Sequence, residues 1–308
     1  MKSTAFLQTQ GLAIDLDMVK SRNATKRRAD QPTTASSSTK KPRLEPPVIP
    51  EIIEHHDHLL YSAVGRRWRG LDNIENLVVF GDSTTRFGHC TTWLGHLLQS
   101  LVTSGKSRKQ HVQAYNYAAP GHTVEDDLSD QLEKFFEQFP RKKGTQSEPS
   151  LDPSKTLCVL WLGINDCGRT EADDLEEIIE KLFEDGLDEL YTKAGARNFL
   201  LINVPPKDRC PAALRLSTDL SKRYKTWNEL LQSRAKIFAS DSAQISVFLF
   251  SAYEVVSAVL DDPEKFGFQE DDVTEQGGAI WMDDLHMTSE VHAIVAERIE
   301  VALRARGV

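Results

Sequence analysis

Four short segments of the 308-residue chain hold residue types that could together attack a carbonyl group. The sequence GDS ends in Ser83, whose hydroxyl a glycine turn would leave exposed. The sequence DDLH holds Asp283 and His286, so that one tight turn can deliver a carboxylate and an imidazole together. NYAAPG ends in Gly121 and GIND holds Asn165, which offer a backbone N–H and a side-chain amide as donors. The set supplies a nucleophile, a base, a carboxylate to orient that base, and donors for a developing oxyanion.

Each segment also has an ordinary structural interpretation when it is taken alone. Gly-Asp-Ser is common in turns and helix N-caps, and an asparagine after a strand often forms an Asx turn. A single histidine in a loop is more often structural than chemical. We expect Asp284, the neighbour of Asp283, to point elsewhere, because one turn does not readily aim both carboxylates at the same imidazole. The functional interpretation therefore depends on a fold that brings the four segments together.

Five apolar runs predict the strands that would position these segments. They are Asn76–Phe80, Val112–Ala118, Thr156–Leu162, Asn198–Val204 and Ile245–Phe250. Continuous apolar runs suit parallel strands that are buried on both faces. The predicted helices lie at about Thr92–Thr103, Glu125–Gln138, Ala172–Ala194, Ala212–Phe238 and Ser289–Arg306. The alternation predicts an α/β fold, a three-layer α/β/α sandwich with a mainly parallel five-stranded sheet, which binds ligands at the carboxyl ends of its strands.

Taken together and in this order, the four segments resemble the signature blocks of the SGNH (GDSL-type) hydrolases, a family with a flavodoxin-like fold. The resemblance implies that Ser83 is the nucleophile, with Asp283 and His286 as its partners. It also implies an oxyanion hole made of the N–H groups of Ser83 and Gly121 and the amide of Asn165. Such a serine hydrolase forms an acyl-enzyme and needs no metal and no organic cofactor.

Longer segments such as WLGINDCG and NVPPKDRCP are similar to fungal acetylesterases of carbohydrate esterase family sixteen. The resemblance implies an esterase for short-chain, chiefly acetyl, esters of carbohydrates or small alcohols. Asp82, Trp93 and Trp161 are candidates for its substrate pocket, although either tryptophan could equally belong to the core. Met287 departs from the family pattern, in which a proline usually follows the histidine. A lysophospholipase or lipid acylhydrolase remains an alternative, as does a non-catalytic regulatory protein with this fold.

Charge divides the chain into two predicted parts, a tail at residues 1–70 and a catalytic domain at residues 71–308. The first part has 12 Lys and Arg against 7 Asp and Glu, whereas the chain as a whole has a net charge of −9. The tail is rich in Pro, Ser and Thr, which predicts disorder. Because the remainder is strongly acidic, we expect no nucleic-acid ligand.

Two basic clusters in the predicted tail, Lys26–Arg28 and Lys40–Arg43, are spaced like a bipartite nuclear-localisation signal. Either they bind a nuclear import receptor or they form a solvated linker. No apolar run is long enough for a membrane span, and the first residues lack the apolar core of a signal peptide. We therefore expect an intracellular protein, cytoplasmic or nuclear.

The four cysteines do not form a C-x-x-C pair, so we expect no zinc cluster. Cys158 lies in an apolar run and is predicted to be buried. Cys167 and Cys210 each follow a predicted strand and could lie near one another. We expect free thiols, with a Cys167–Cys210 disulfide as the alternative.

Overall fold

The computed structural model describes residues 58–86, 88, 90–104, 112–140, 151–216 and 220–307. The predicted tail up to residue 57, including both basic clusters, lies outside these residues. The described strands are β1 (Leu59–Ala63), β2 (Asn76–Gly81), β3 (Gln113–Asn116), β4 (Thr156–Trp161), β5 (Asn198–Ile202) and β6 (Ser246–Phe250). The described α-helices are α1 (Trp93–Ser104), α2 (Val124–Gln138), α3 (Ile164–Arg169), α4 (Leu175–Lys181), α5 (Pro211–Leu214), α6 (Ser221–Ser240), α7 (Ala252–Asp261) and α8 (Ser289–Arg304). Two π-helical segments, Leu182–Asp188 and Leu190–Ala194, continue α4.

The strands form one sheet in the order β1-β6-β5-β4-β2-β3, in which β2 to β6 are parallel. The predicted α/β fold with a mainly parallel sheet is confirmed, and the five predicted strands correspond to β2 through β6. From β2 the chain goes to β3 on one side and then to β4 on the other. The crevice outside the carboxyl ends of β2 and β4 is therefore the topological switch point, where open α/β sheets bind their ligands.

The sheet has six strands rather than the predicted five. β1 pairs antiparallel with β6, and each of its residues is only partly buried. An edge strand of this kind lacks the continuous apolar run that marks the buried strands. Trp68 is also in the core, 1% exposed, with its ring centre 4.7 Å from that of Phe248. The predicted tail boundary at residue 70 is therefore wrong, because residues 59–63 belong to the sheet.

Two hydrophobic clusters cover the two faces of the sheet, as the three-layer prediction requires. Side chains alternate along β2, so that Leu77 and Val79 belong to one cluster and Val78 and Phe80 to the other. Helices α1, α7 and α8 pack on the first face, and α2, α4 and α6 pack on the second. Helix α7 was not predicted, and the helix predicted at Ala212–Phe238 is divided into α5 and α6.

All four cysteines are free thiols. Cys210 belongs to the cluster on the first face of the sheet and Cys167 to the cluster on the second, which keeps the two sulfurs apart. The disulfide alternative is therefore wrong. No helix in the described ranges is long and apolar enough to cross a membrane.

Candidate active site

Ser83 lies in a turn directly after β2, and we name residues 81–85 the serine turn. The side-chain amide of Gln131 contacts the start of this turn, accepting from Gly81 N at 3.0 Å and donating to Gly81 O at 2.9 Å. A Cβ at Gly81 would lie 2.8 Å from Thr85 Oγ1 and 3.0 Å from Trp161 O. These distances are too short for a side chain, so position 81 requires glycine. Asp82 Oδ1 accepts from Thr84 N at 2.8 Å. The turn is thus fixed by buried hydrogen bonds at the carboxyl end of the sheet.

Asp283 and His286 lie in the long connection between α7 and α8, and we name residues 281–287 the histidine loop. Asp283 Oδ1 accepts from the backbone N–H groups of Leu285 at 2.8 Å and His286 at 2.7 Å. Its other oxygen, Oδ2, lies 2.8 Å from His286 Nδ1. Asp284 points away, as expected, and forms an ion pair with Arg215 at 2.7 Å. One carboxylate therefore both closes the turn and orients the imidazole.

The fold brings the serine turn and the histidine loop into contact. His286 Nε2 lies 3.0 Å from Ser83 Oγ, although the two residues are 203 positions apart in the sequence. Partial burial raises the pKa of Asp283, but the backbone and side-chain hydrogen bonds from His286 and the N–H of Leu285 outweigh it and lower that pKa. A charged carboxylate, an imidazole and a hydroxyl therefore form one hydrogen-bonded series.

The candidate oxyanion donors come from the turns after β2, β3 and β4. The backbone N–H groups of Ser83 and Gly121 donate no hydrogen bond within the described part of the chain. Gly121 has a φ of 80°, a conformation that favours glycine. The Asn165 amide donates to His122 O at 2.9 Å, which holds it beside the Gly121 turn and leaves its second N–H available. All three predicted donors thus follow neighbouring strands at the same edge of the sheet.

Three residues predicted for the substrate pocket are in the core instead. Trp93 and Trp161 are both 0% exposed and pack against each other with ring centres 5.8 Å apart. Asp82 is also fully buried, and this burial raises its pKa to about 6, against the hydrogen bonds from Thr84 and the nearby charge of Lys207. None of the three lines the recess beside Ser83. For the two tryptophans the alternative, a place in the core, is confirmed, and the full burial of Asp82 contradicts its assignment to the pocket. Their position next to the motif residues reflects packing beneath the site.

A small recess opens beside the serine and histidine. Its cavity volume is about 10 Å³, which is room for about one water molecule. Its lining residues are Ser83, Thr84, Lys207, His286, Met287 and His292. Lys207 and His292 were not predicted. The signal for Lys207 was its place just after β5, at the same edge of the sheet as the other segments.

The fold and this arrangement define an α/β protein with a hydrolase-type site. The GDSL-like lipase/acylhydrolase family model matches residues 77–299. The chain therefore belongs to that family, as its resemblance predicted, and it is a carboxylic ester hydrolase.

Individual relatives share low sequence identity with the chain. An acetylesterase of Thermothelomyces thermophilus is 26% identical, covering 77% of this chain and 91% of the acetylesterase. A thermolabile hemolysin of Vibrio parahaemolyticus is 23% identical, covering 64% of this chain and 50% of the hemolysin. The solved structure of an acetylxylan esterase from Geobacillus stearothermophilus is 14% identical, with a TM-score of 0.48, 74% of this chain covered and 94% of the other.

Proposed function

We propose that this ester hydrolase removes short acyl groups, chiefly acetyl, from carbohydrates or small alcohols, with Ser83, His286 and Asp283 as its catalytic triad. The observation that carries the proposal is the 3.0 Å contact between Ser83 Oγ and His286 Nε2. A serine hydroxyl is a weak nucleophile at neutral pH and needs a base within hydrogen-bond reach. His286 is that base, and Asp283 Oδ2 holds its other nitrogen.

The reaction proceeds through two acyl transfers. As Ser83 Oγ attacks the ester carbonyl carbon, its proton passes to His286 Nε2. The bond to the leaving alcohol then breaks, and His286 returns the proton to the alcohol oxygen. In the second half a water molecule attacks the acyl-enzyme, giving a proton to His286, which passes it to Ser83 Oγ as the carboxylic acid leaves. Asp283 keeps the imidazole in the required tautomer and stabilises the imidazolium.

The oxyanion of each tetrahedral intermediate is stabilised by the N–H groups of Ser83 and Gly121 and by the Asn165 amide. Two observations support this assignment: the first two N–H groups have no partner within the described residues, and the Asn165 amide is held by His122 O. Removal of one such donor typically slows turnover by about 10²–10³-fold.

The preference for acetyl is supported by the recess and by a relative. Space for about one water molecule beside Ser83 accommodates a methyl group more easily than an alkyl chain. The relative from Thermothelomyces thermophilus is itself an acetylesterase. A lipid acylhydrolase would instead need a longer apolar channel next to the nucleophile.

Ser83→Ala tests the proposal directly. We expect the variant to fold, to lose p-nitrophenyl acetate turnover by about 10⁴-fold or more, and to resist labelling by a fluorophosphonate probe. Ser233→Ala, which changes an exposed serine bonded to Glu229 O, is the matched control and should behave like the unmodified protein. Hydrolysis by Ser83→Ala at the unmodified rate would refute the proposed mechanism.

The acyl preference needs a separate measurement. We expect kcat/KM to be highest for acetate in a series of p-nitrophenyl esters, and acetate to be released from acetylated sugars. A series that peaks at hexanoate or longer chains would contradict the short-chain proposal and favour a lipid substrate.

A further inference from the structure

The recess beside Ser83 is lined in part by a buried lysine that the reaction scheme does not use. Lys207 lies in a short helical turn after β5 and is only 2% exposed. Its Nζ donates to Leu285 O at 2.6 Å and lies 5.2 Å from the ring centre of Trp281. An ammonium carries three N–H donors, and this one makes a single hydrogen bond among the described residues. Lysine is rarely buried unless it is paired, so its position calls for a function.

The charge of Lys207 is retained at neutral pH. Burial lowers its pKa to about 8, while Cys210, Asp82 and Asp283 act in the opposite direction. His292 forms another part of the wall, and burial lowers its pKa to about 3, with Lys207, His96 and His286 acting in the same direction. His292 is therefore neutral, and its Nδ1 has no hydrogen-bond partner among the described residues. The recess thus presents a cation and an uncharged imidazole beside the apolar side chain of Met287.

We propose that Lys207 is a specificity-determining residue, whose ammonium restricts the recess to acyl groups of about the size of acetyl and disfavours longer alkyl chains. This inference rests on the proposed function. A longer chain would have to displace Nζ from Leu285 O or surround the ammonium with methylene groups. Burying a charge without compensating partners is costly, so the enzyme discriminates against such esters.

Substitution of the lysine tests the inference through a ratio of activities. The measurement is kcat/KM for p-nitrophenyl butyrate divided by that for acetate. We expect Lys207→Met to raise this ratio by about tenfold or more, since an extra methylene in an apolar pocket is worth roughly that much. Lys207→Arg should keep a low ratio. Lys222→Met, the same change at an exposed lysine that pairs with Asp173, should leave it unaltered.

A ratio for Lys207→Met within about twofold of the unmodified value would overturn the inference. A ratio is used because Lys207 also contacts the histidine loop, so absolute rates are expected to fall with any change there. Folding of each variant is checked by circular dichroism.

A second measurement does not depend on Lys207→Met and tests the inference even if that variant does not fold. The same ratio is followed in the unmodified protein from about pH 7 to about pH 9.5. Loss of the Lys207 proton in this range should raise the ratio, whereas Lys207→Arg remains charged and should show no rise. A ratio that stays constant in the unmodified protein overturns the inference.

Other titratable groups face Lys207 from every side, namely Asp82 after β2, Cys210 after β5, Asp283 and His286 in the histidine loop, and His292 in α8. Proton transfer by His286 serves both esters alike and cancels from the ratio. The pKa of Asp82, about 6, and that of His292, about 3, lie below the range.

The two proposals fail in distinguishable ways. If the unmodified protein hydrolyses no ester, or if Ser83→Ala is as active as the unmodified protein, the proposed function is wrong. If acetate hydrolysis depends on Ser83, but the butyrate-to-acetate ratio changes neither on substitution of Lys207 nor with pH, the specificity inference alone is wrong.

Discussion

The serine turn and the histidine loop contribute to one site but are stabilised in different ways. The serine turn is in the core, where Asp82 is fully buried and Ser83 is 9% exposed. In the histidine loop, the side chains of Asp283 and His286 remain 38% and 23% exposed. Burial raises the pKa of Asp82, whereas hydrogen bonds outweigh partial burial and lower that of Asp283. Buried hydrogen bonds fix Ser83, the proposed nucleophile, whereas polar contacts near water fix His286, its proposed base.

The largest effect is expected from removing the imidazole. His286→Ala should lower kcat for p-nitrophenyl acetate by about 10⁶-fold, because Ser83 then has no base within reach. His96→Ala is the matched control, since His96 bonds Ser289 rather than Ser83, and it should retain most activity. If His286→Ala kept more than about a tenth of the activity, the histidine loop would not supply the base for Ser83.

A smaller effect is expected from the carboxylate that orients the imidazole. Asp283→Asn should reduce kcat by about 10⁴-fold, because the amide disfavours the tautomer that accepts the serine proton. Asp284→Asn, on the same turn, loses only an exposed ion pair with Arg215 and should change kcat by less than about threefold. Equal losses in the two variants would mean that the loop tolerates no change of charge, rather than that Asp283 has a specific role.

The smallest effect is expected on stability. Its pH dependence should have opposite signs for Asp82 in the serine turn and Asp283 in the histidine loop. Folding raises the pKa of Asp82 from 3.8 to about 6, so its stabilising contribution is complete below pH 3.8 and is lost as pH rises through about 6. Relative to Asp82→Asn, the free energy of unfolding of the unmodified protein should fall by about 3 kcal/mol as pH increases across this range, as measured by urea denaturation.

For Asp283→Asn, the same measurement of unfolding free energy against pH should show a change in the opposite direction. Because folding lowers the pKa of Asp283, its contribution is present above the ordinary value and is lost as pH falls through the lowered one. The change should be small, since the carboxylate is more than a third exposed. If the free energies of unfolding of Asp82→Asn and the unmodified protein differed by the same amount at every pH, the Asp82 carboxylate would not be desolvated. The serine turn and the histidine loop would then not differ in this respect.

The sequence predicted the backbone position of a residue best where a buried parallel strand leads to it. Strands β2, β4, β5 and β6 are continuous apolar runs, and the motif residues follow β2, β3 and β4 directly. A residue at the end of a parallel strand is placed by the sheet, so Ser83, Gly121 and Asn165 could be predicted to share one edge. Strand β1 could not, because a half-buried antiparallel edge strand has no distinctive pattern.

Side-chain surroundings were harder to predict than backbone positions. Trp93 and Trp161 lie close to motif residues, and a large aromatic side chain in such a place fits a pocket as well as a core. Lys207 was missed because a lysine after two prolines is ordinarily a surface residue, and its burial depends on the distant histidine loop. Contacts between segments that are far apart in sequence leave no local pattern.

The position of β1 has a practical consequence for shortened forms of the protein. A chain that begins at residue 71 would lack Leu59–Ala63 and Trp68, and β6 would become an edge of the sheet. The unpaired N–H and C=O groups of Val247 to Phe250 would then form an open template for strand addition by other chains. Such a truncation would therefore favour self-association through the exposed edge of β6.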